Sequence, residues 1–426
     1  MIKIKILAKK LLVLVFAVLV SQCSSYTDTT KKIRQDFRAK NYSEALKKIE
    51  SSSLKNSERN RLLYLLEKAM IAEGLGDVKE ARRLLLQADR VVDELYTLSL
   101  SKEAATYLFN ESAQAYPGED YEKVAIHTVL ALSFLKEGSL DEARVEARRI
   151  NTRLNEINGK HDKKNRYSED AFGRFLAGMI YEARGEWDSA IVDYRKALKE
   201  YEGNYQSLFG TSPPKSLIKS LYSLLSKRRR FSEANQLKKQ YTWLGESDRR
   251  DGLGDFIVIH PVGHIAIKKQ KNFVTNFGRQ IVRFSFAEIR PRKRYSVRKT
   301  GVQVGSDIFT HATLSQNMDR IAASTLEDRR LRTIAKAGAR LILKGQMTQE
   351  AEKRGGPLAG LLVNLYGAIS ETADTRQWSL LPSRYYVTRM SLPVGKTNLR
   401  VYNDGKLTSV RSVNSERGKL KILVAQ

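Results

Sequence analysis

The sequence predicts an α+β protein. An all-α solenoid of paired helices is expected over residues 31–245, followed by a smaller mixed α+β domain with antiparallel strands over 255–426. Three observations predict it. A turn followed by an alanine recurs five times in the first part, each time ahead of an apolar helical stripe. Beyond Gly254 the apolar pattern becomes alternating and rich in β-branched and aromatic residues. The charge is uneven too: of a formal +28, residues 252–426 hold 30 Lys+Arg against 12 Asp+Glu.

Residues 1–22 read as an export signal. Lys3, Lys5, Lys9 and Lys10 make a basic start, Leu11 to Val20 is an unbroken apolar run, and Ser21-Gln22-Cys23 closes it. A permanent membrane helix needs roughly 20 apolar residues, more than this run offers. Cys23 is the only cysteine, so no internal disulfide forms. Its place at the signal exit resembles the lipobox of bacterial lipoproteins, with Gln22 where that motif carries a small residue. The resemblance implies acylation of Cys23 and, with Ser24 after it, the outer membrane as destination. Residues 23–30, rich in Ser and Thr, are expected to be a tether.

The repeats follow. Asn41 to Ala45, Gly76 to Ala81, Gly138 to Ala143, Gly185 to Ala190 and Arg230 to Ala234 each place a turn, an acidic residue and an alanine before Leu, Ile or Tyr at helical spacing. The acidic residues suit the positive end of the second helix. In the stretch 171–201, Phe175, Gly178 and Tyr181 share a face of one helix, and Ala190, Tyr194 and Ala197 share a face of the next. Small residues at Gly178 and Ala190 allow a close crossing that Trp187 and Tyr194 fill. This unit resembles a tetratricopeptide (TPR) repeat, a helix–turn–helix of about 34 residues that needs stacked neighbours. The resemblance implies an extended surface for a protein partner. The five alanines lie 36, 62, 47 and 44 residues apart, so the array is irregular. An extra helix and a loop are expected over 95–121, and polar loops over 158–168 and 203–214.

Residues 246–254 are expected to be a linker. Strands are expected at 255–260, 264–268, 280–286, 295–304, 385–392, 398–402, 407–413 and 419–424, with hairpin turns at Asn403-Asp404-Gly405 and Glu416-Arg417-Gly418. Helix is expected from Leu314 to Glu352, and Leu358 to Ile369 as an apolar core helix after the break at Gly355-Gly356-Pro357. Glu327-Asp328-Arg329, Ala373-Asp374-Thr375-Arg376-Gln377-Trp378, Leu381-Pro382 and Leu392-Pro393-Val394-Gly395 together resemble the signature of a family of bacterial lipoproteins with TPR-like helices and a β-rich C-terminal domain. That likeness implies an envelope lipoprotein and brings no catalytic residues with it.

No catalytic constellation is apparent. His260 and His264 are four apart, but Pro261 and Gly263 deny them a helix, so no metal site is expected. No nucleophile elbow or phosphate-binding loop is present. Two candidate contact patches remain. Arg290, Arg292, Lys293 and Arg294 could face a polyanion. Asp374, Arg376 and Trp378, if extended, share a face on which Arg376 pairs with Asp374 and stacks on Trp378, as a partner-facing patch or as an internal lock. The expected function is a non-enzymatic outer-membrane lipoprotein, lipid-anchored and facing the periplasm, acting as an interaction scaffold for envelope proteins without a cofactor or nucleic acid. The alternative is a binding module for anionic envelope polymers, peptidoglycan or lipopolysaccharide, through the basic C-terminal domain.

Overall fold

The computed structural model describes residues 26–102, 114–159, 166–245, 253–277, 280–290, 300–305, 308–328 and 373–425. Eleven helices precede the strands among these residues. They form hairpins: α1 (Tyr26–Arg38) with α2 (Tyr42–Glu50), α3 (Arg61–Leu75) with α4 (Val78–Lys102), α5 (Asp120–Lys136) with α6 (Leu140–Gly159), α7 (Ala171–Ala183) with α8 (Trp187–Glu200), and α10 (Lys215–Lys227) with α11 (Phe231–Gln240). A π-type turn, Tyr201–Tyr205, and the short α9 (Gln206–Phe209) join the last two. The alanines that mark the repeats, Ala45, Ala81, Ala143, Ala190 and Ala234, are at most 3 % exposed. Each lets a second helix close on the first.

One backbone feature unites the five hairpins. Lys40, Gly76, Gly138, Gly185 and Arg229 are all left-handed, with φ of 62°, 84°, 77°, 77° and 57°. Each stands two residues before a second helix begins. Glycine adopts this conformation without strain, whereas Lys40 and Arg229 do so at a penalty of roughly 1 kcal/mol.

Ten strands follow. β1 (Gly254–Val262), β6 (Thr313–Asn317), β7 (Arg384–Leu392) and β10 (Leu420–Val424) form a sheet in the order β10-β1-β7-β6. β4 (Gly301–Val304), β5 (Ile308–His311), β8 (Gly395–Asn403) and β9 (Lys406–Ser415) form a second, in the order β5-β4-β8-β9. β2 (Lys268–Phe277) and β3 (Gln280–Ile289) make a two-stranded ribbon that joins neither. Pairing is antiparallel except between β1 and β10, which run parallel. Residues 318–328 are helical.

The first sheet is a middle layer. Ile257 and Ile259 of β1, Tyr385 and Val387 of β7, and Ile422 and Val424 of β10 pack into the same core as the helices. Phe256, Val258 and Met390, on the other face, pack on Leu399 and Val401 of β8 and Val302 of β4. Burial on both faces is why Phe-Ile-Val-Ile is a continuous apolar run.

Several expectations are corrected here. Residues 23–30 are no tether throughout: helix begins at Tyr26, and Thr30 is buried. The extra helix expected over 95–121 falls on a stretch whose middle is not described, so it is left open. α4 simply runs on to Lys102, and 103–113 lie outside the described residues. Residues 264–267 are not strand, β2 starts at Lys268 instead, and 313–317 are strand rather than helix. Asp404 and Gly405 are both left-handed, the geometry of the expected hairpin between β8 and β9. Gly418 also turns, but it sends β10 into the other sheet beside β1, so the second expected hairpin does not form. The export signal, Cys23, most of the linker and the apolar run from Leu358 to Ile369 lie outside the described residues.

Candidate functional site

The first helix of each hairpin meets the C-terminal part of the chain, and on α3, α5 and α7 buried carboxylates make the joins. Glu67 on α3 accepts from Ser379 N and Ser379 Oγ at 2.7 Å and from Leu380 N at 3.1 Å. The Tyr26 hydroxyl lies 2.8 Å from Glu67 Oε1 and 2.6 Å from the Gln377 carbonyl. Burial pushes the Glu67 carboxyl up, against the downward pull of these donors. Glu122 on α5 accepts from Trp378 N at 2.7 Å and from the Tyr116 hydroxyl at 2.7 Å. Burial raises its pKa to about 6, opposed by Lys268. Asp170 caps α7 through Gly173 N and also accepts from Tyr167, Tyr205 and Gln316. Glu182 on α7 holds Arg389 of β7 through two oxygens, at 2.6 and 2.7 Å, and Arg389 also reaches Asp255 of β1 at 2.7 Å.

The helical face that a partner would enter in a bare solenoid is therefore occupied by the chain's own residues. α5 explains how: Val124 to Ser133 are all buried, so that helix lies between its hairpin mate and the sheet. That all-round apolar run was readable in the sequence as a sign of a helix covered on every side. The carboxylates were not, since the C-terminal partners of Glu67, Glu122, Asp170 and Glu182 lie 312, 256, 146 and 207 residues away in the chain.

The candidate patch at 374–378 is brought together, but inward. Residues 373–378 are irregular, so the face-sharing expected of a strand does not apply. Arg376 does pair with Asp374, at 2.7 and 2.9 Å, and it also reaches the Gln114 carbonyl at 2.9 Å. Its guanidinium stacks over Tyr116, 5.2 Å from the ring centre, rather than over Trp378. Trp378 is fully buried. Arg376 and Trp378 thus fasten the junction and offer no surface to a partner. Arg290 is exposed and pairs with Glu288 at 3.1 Å, while Arg292, Lys293 and Arg294 lie outside the described residues. His260 is buried between Asn403 and Thr388, and burial lowers its pKa to about 4. His264 meets Phe37, away from His260. Among the described residues no group of three His, Cys, Asp or Glu side chains is placed to hold a metal ion.

The TPR-type residues are structural. Gly178 lies under the Tyr194 ring, so closely that a Cβ there would meet it at 2.4 Å. Tyr194 in turn donates to Glu182 at 2.7 Å, joining the repeat to the Arg389 cluster. Ala190 and Ala197 are buried, and Lys227 of α10 lies 3.8 Å from the centre of the Trp187 ring. Tyr181 lines an open groove of about 360 Å3 between α6, α7 and α8, with Arg148, Asn151, Arg174, Val192, Asp193 and Lys196. Arg174 pairs with Asp193 at 3.2 Å. Burial pushes the Asp193 carboxyl up, against the pull of Arg174, Lys196 and Arg148. Asn151 Oδ1 is buried and has no hydrogen-bond partner among the described residues. Val192 is nearly half exposed. Sequence reasoning missed this groove because its residues are polar and come from three helices.

No family model and no curated protein matches the chain. Solved structures similar to it include MamA (AMB-1), with 15% identity over 51% of this chain and 93% of that one, at a TM-score of 0.30. A kinesin light chain with nearly identical TPR-like repeats from Podosopora anserina has 15% identity over 50% and 92%, at 0.31. The apo form of RapI has 12% identity over 53% and 56%, at 0.38.

Proposed function

We propose that the chain is a non-enzymatic, lipid-anchored lipoprotein of a bacterial outer membrane that holds a partner envelope protein. On this reading the groove between α6 and α8 takes an acidic, extended segment of that partner. The observation that carries the reading is the filling of the first-helix face by the chain's own residues. The outer groove between α6, α7 and α8 is open, among the described residues. Arg148 and Lys196 supply charge for a carboxylate, and Val192 and Tyr181 offer apolar contact. The lipoprotein part is supported by the basic start, the short apolar run and Cys23 at its exit.

In-cell crosslinking of the full chain tests both parts. The intact protein is expected to capture one partner through an acidic segment crosslinked near α6 or α8. An Arg148→Glu/Lys196→Glu variant is expected to lose at least ten-fold of that capture. Cys23→Ala is expected to leave the membrane fraction. Unchanged capture by the charge-reversed protein would refute the groove, and unchanged membrane partition of Cys23→Ala would refute the anchor.

A further inference from the structure

The second sheet has one face in the smaller core and one in solvent. Leu399 and Val401 of β8 and Val302 of β4 point into that core, so the residues that alternate with them point out. On β8 these are Lys396, Asn398, Arg400 and Tyr402, and the first three are exposed. The register sets Arg400 between Val410 of β9 and Gln303 of β4, and Gln303 beside Phe309 of β5. In the next row Tyr402 and His311 flank Gly301.

Gly301 seats an aromatic corner. A Cβ there would meet the Thr310 carbonyl oxygen at 2.2 Å and the edge of the Phe309 ring at 3.0 Å. A glycine inside a strand permits such a close approach. The centre of the Phe309 ring lies 4.7 Å from that of His311 and 5.7 Å from that of Tyr402, both edge-on. The Tyr402 hydroxyl donates to Gln303 Oε1 at 3.0 Å, which holds the Tyr402 ring in place.

The same face is cationic. β4, β5, β8 and β9 contain no Asp or Glu. Lys396 and Arg400 have no side-chain partner among the described residues. Of the acidic residues at the strand ends, Glu416 is paired with Lys419 and Lys421. Asp404 adds to burial in raising the pKa of Tyr386 on β7, and Asp307 lies outside the described residues. Lys396 and Arg400 stand four residues apart, about 13 Å along the strand.

We propose that this face binds peptidoglycan, with a sugar ring against Phe309 and Tyr402 and the polymer's carboxylates on Arg400 and Lys396. Three observations favour that occupant. Aromatic rings held at a corner present their negative faces to the C–H groups of a sugar. Asn398, Ser412 and Asn414, exposed beside the cations, offer donors and acceptors to hydroxyl groups, and a face this polar gains nothing by entering a lipid core. Cations spread about 13 Å apart match carboxylates repeated along a polymer, whereas clustered phosphates call for clustered cations. The choice of a wall glycan over single-stranded nucleic acid rests on the export reading, and the face itself is separate from the α6–α8 groove.

The mature full chain is pelleted with purified peptidoglycan sacculi, and the bound fraction gives the affinity. Binding is expected, with Lys396→Glu/Arg400→Glu weakening it at least ten-fold and Phe309→Ser about three-fold or more. The first variant changes exposed residues only, so it reads the face even where Phe309→Ser unfolds. Lys238→Glu/Lys239→Glu makes the same charge change on exposed residues of α11 and is expected to leave binding unchanged. Equal loss in both charge-reversed proteins would show attraction by net charge alone and overturn the proposal. So would no binding, or equal affinity for single-stranded DNA or lipopolysaccharide micelles. Cell fractionation reads the compartment separately. A cytoplasmic protein that binds sacculi removes the export reading and keeps the binding face, whereas an exported protein that does not bind them removes the face alone.

Discussion

His127 is buried with Asp89 and Glu146, its Nδ1 2.8 Å from Glu146 Oε2 and its Nε2 3.3 Å from Asp89 Oδ1. Burial alone would lower its pKa. The hydrogen bonds and charges of the two carboxylates outweigh that and raise it. The sign follows from linkage. A histidine raised above its unfolded value of about 6.5 contributes stability that is fully present below that pH and lost as pH rises through the folded value. Asp89 works the other way: its pKa is held at about 2, chiefly by His127 and Arg153 against its own burial. Its contribution is present above the unfolded value near 4 and lost on acidification toward 2. Urea unfolding at pH 6.5 and pH 9 is expected to show lower stability at the higher pH, and His127→Gln is expected to shrink the difference. An equal difference in both proteins would contradict this. Nothing near His127 in the sequence announces the cluster, because its partners sit 38 and 19 positions away on other helices. Ala45 and Ala190 were legible, since a small residue at a fixed place in each hairpin reports a local necessity. Arg376 was half legible: its pairing with Asp374 is local, while its stacking partner Tyr116 comes from another part of the fold.

At the scale of elements, the hairpins write themselves into the sequence through turns. Gly76, Gly138 and Gly185 mark three of them, and the same left-handed position is filled by Lys40 and Arg229 in the other two, where residue type gives no signal. The strands β7 to β10 were visible from alternation. β2 was not, because Lys-Lys-Gln-Lys-Asn is polar on both faces where the ribbon leaves the core. Some of the joins between elements are buried ion pairs, and these differ from the surface pairs in consequence. The Arg389 side chain is 1% exposed and serves Glu182, Asp255 and Ser220 at once. Arg389→Met strands two carboxylates and is expected to cost about 3–5 kcal/mol. Lys47→Met, which breaks an exposed pair with Glu44, is expected to stay within about 0.5 kcal/mol. Denaturant midpoints of the two variants check this, and similar values for both would contradict it.

At the scale of the molecule, the sequence suggests two bodies and a linker, because composition changes sharply near Gly245. The larger of two cores spans both parts, from Ile33 on α1 through Phe172 on α7 to Trp378, Tyr385 and Val424, and the smaller lies between the sheets. Composition reports secondary structure, and it is silent about which faces meet. The stacking of Phe172 on Tyr385, with ring centres 5.2 Å apart, is one such meeting. The central claim is that the helical array needs the C-terminal sheet to complete its core. The measurement that tests it most directly is the unfolding transition of a fragment of residues 24–245, beside that of residues 24–426. The long chain is expected to melt in a single cooperative step, and the fragment, with the first-helix face bared, to aggregate or unfold without a cooperative transition. A monomeric fragment with a cooperative transition at the same midpoint as the long chain would contradict it.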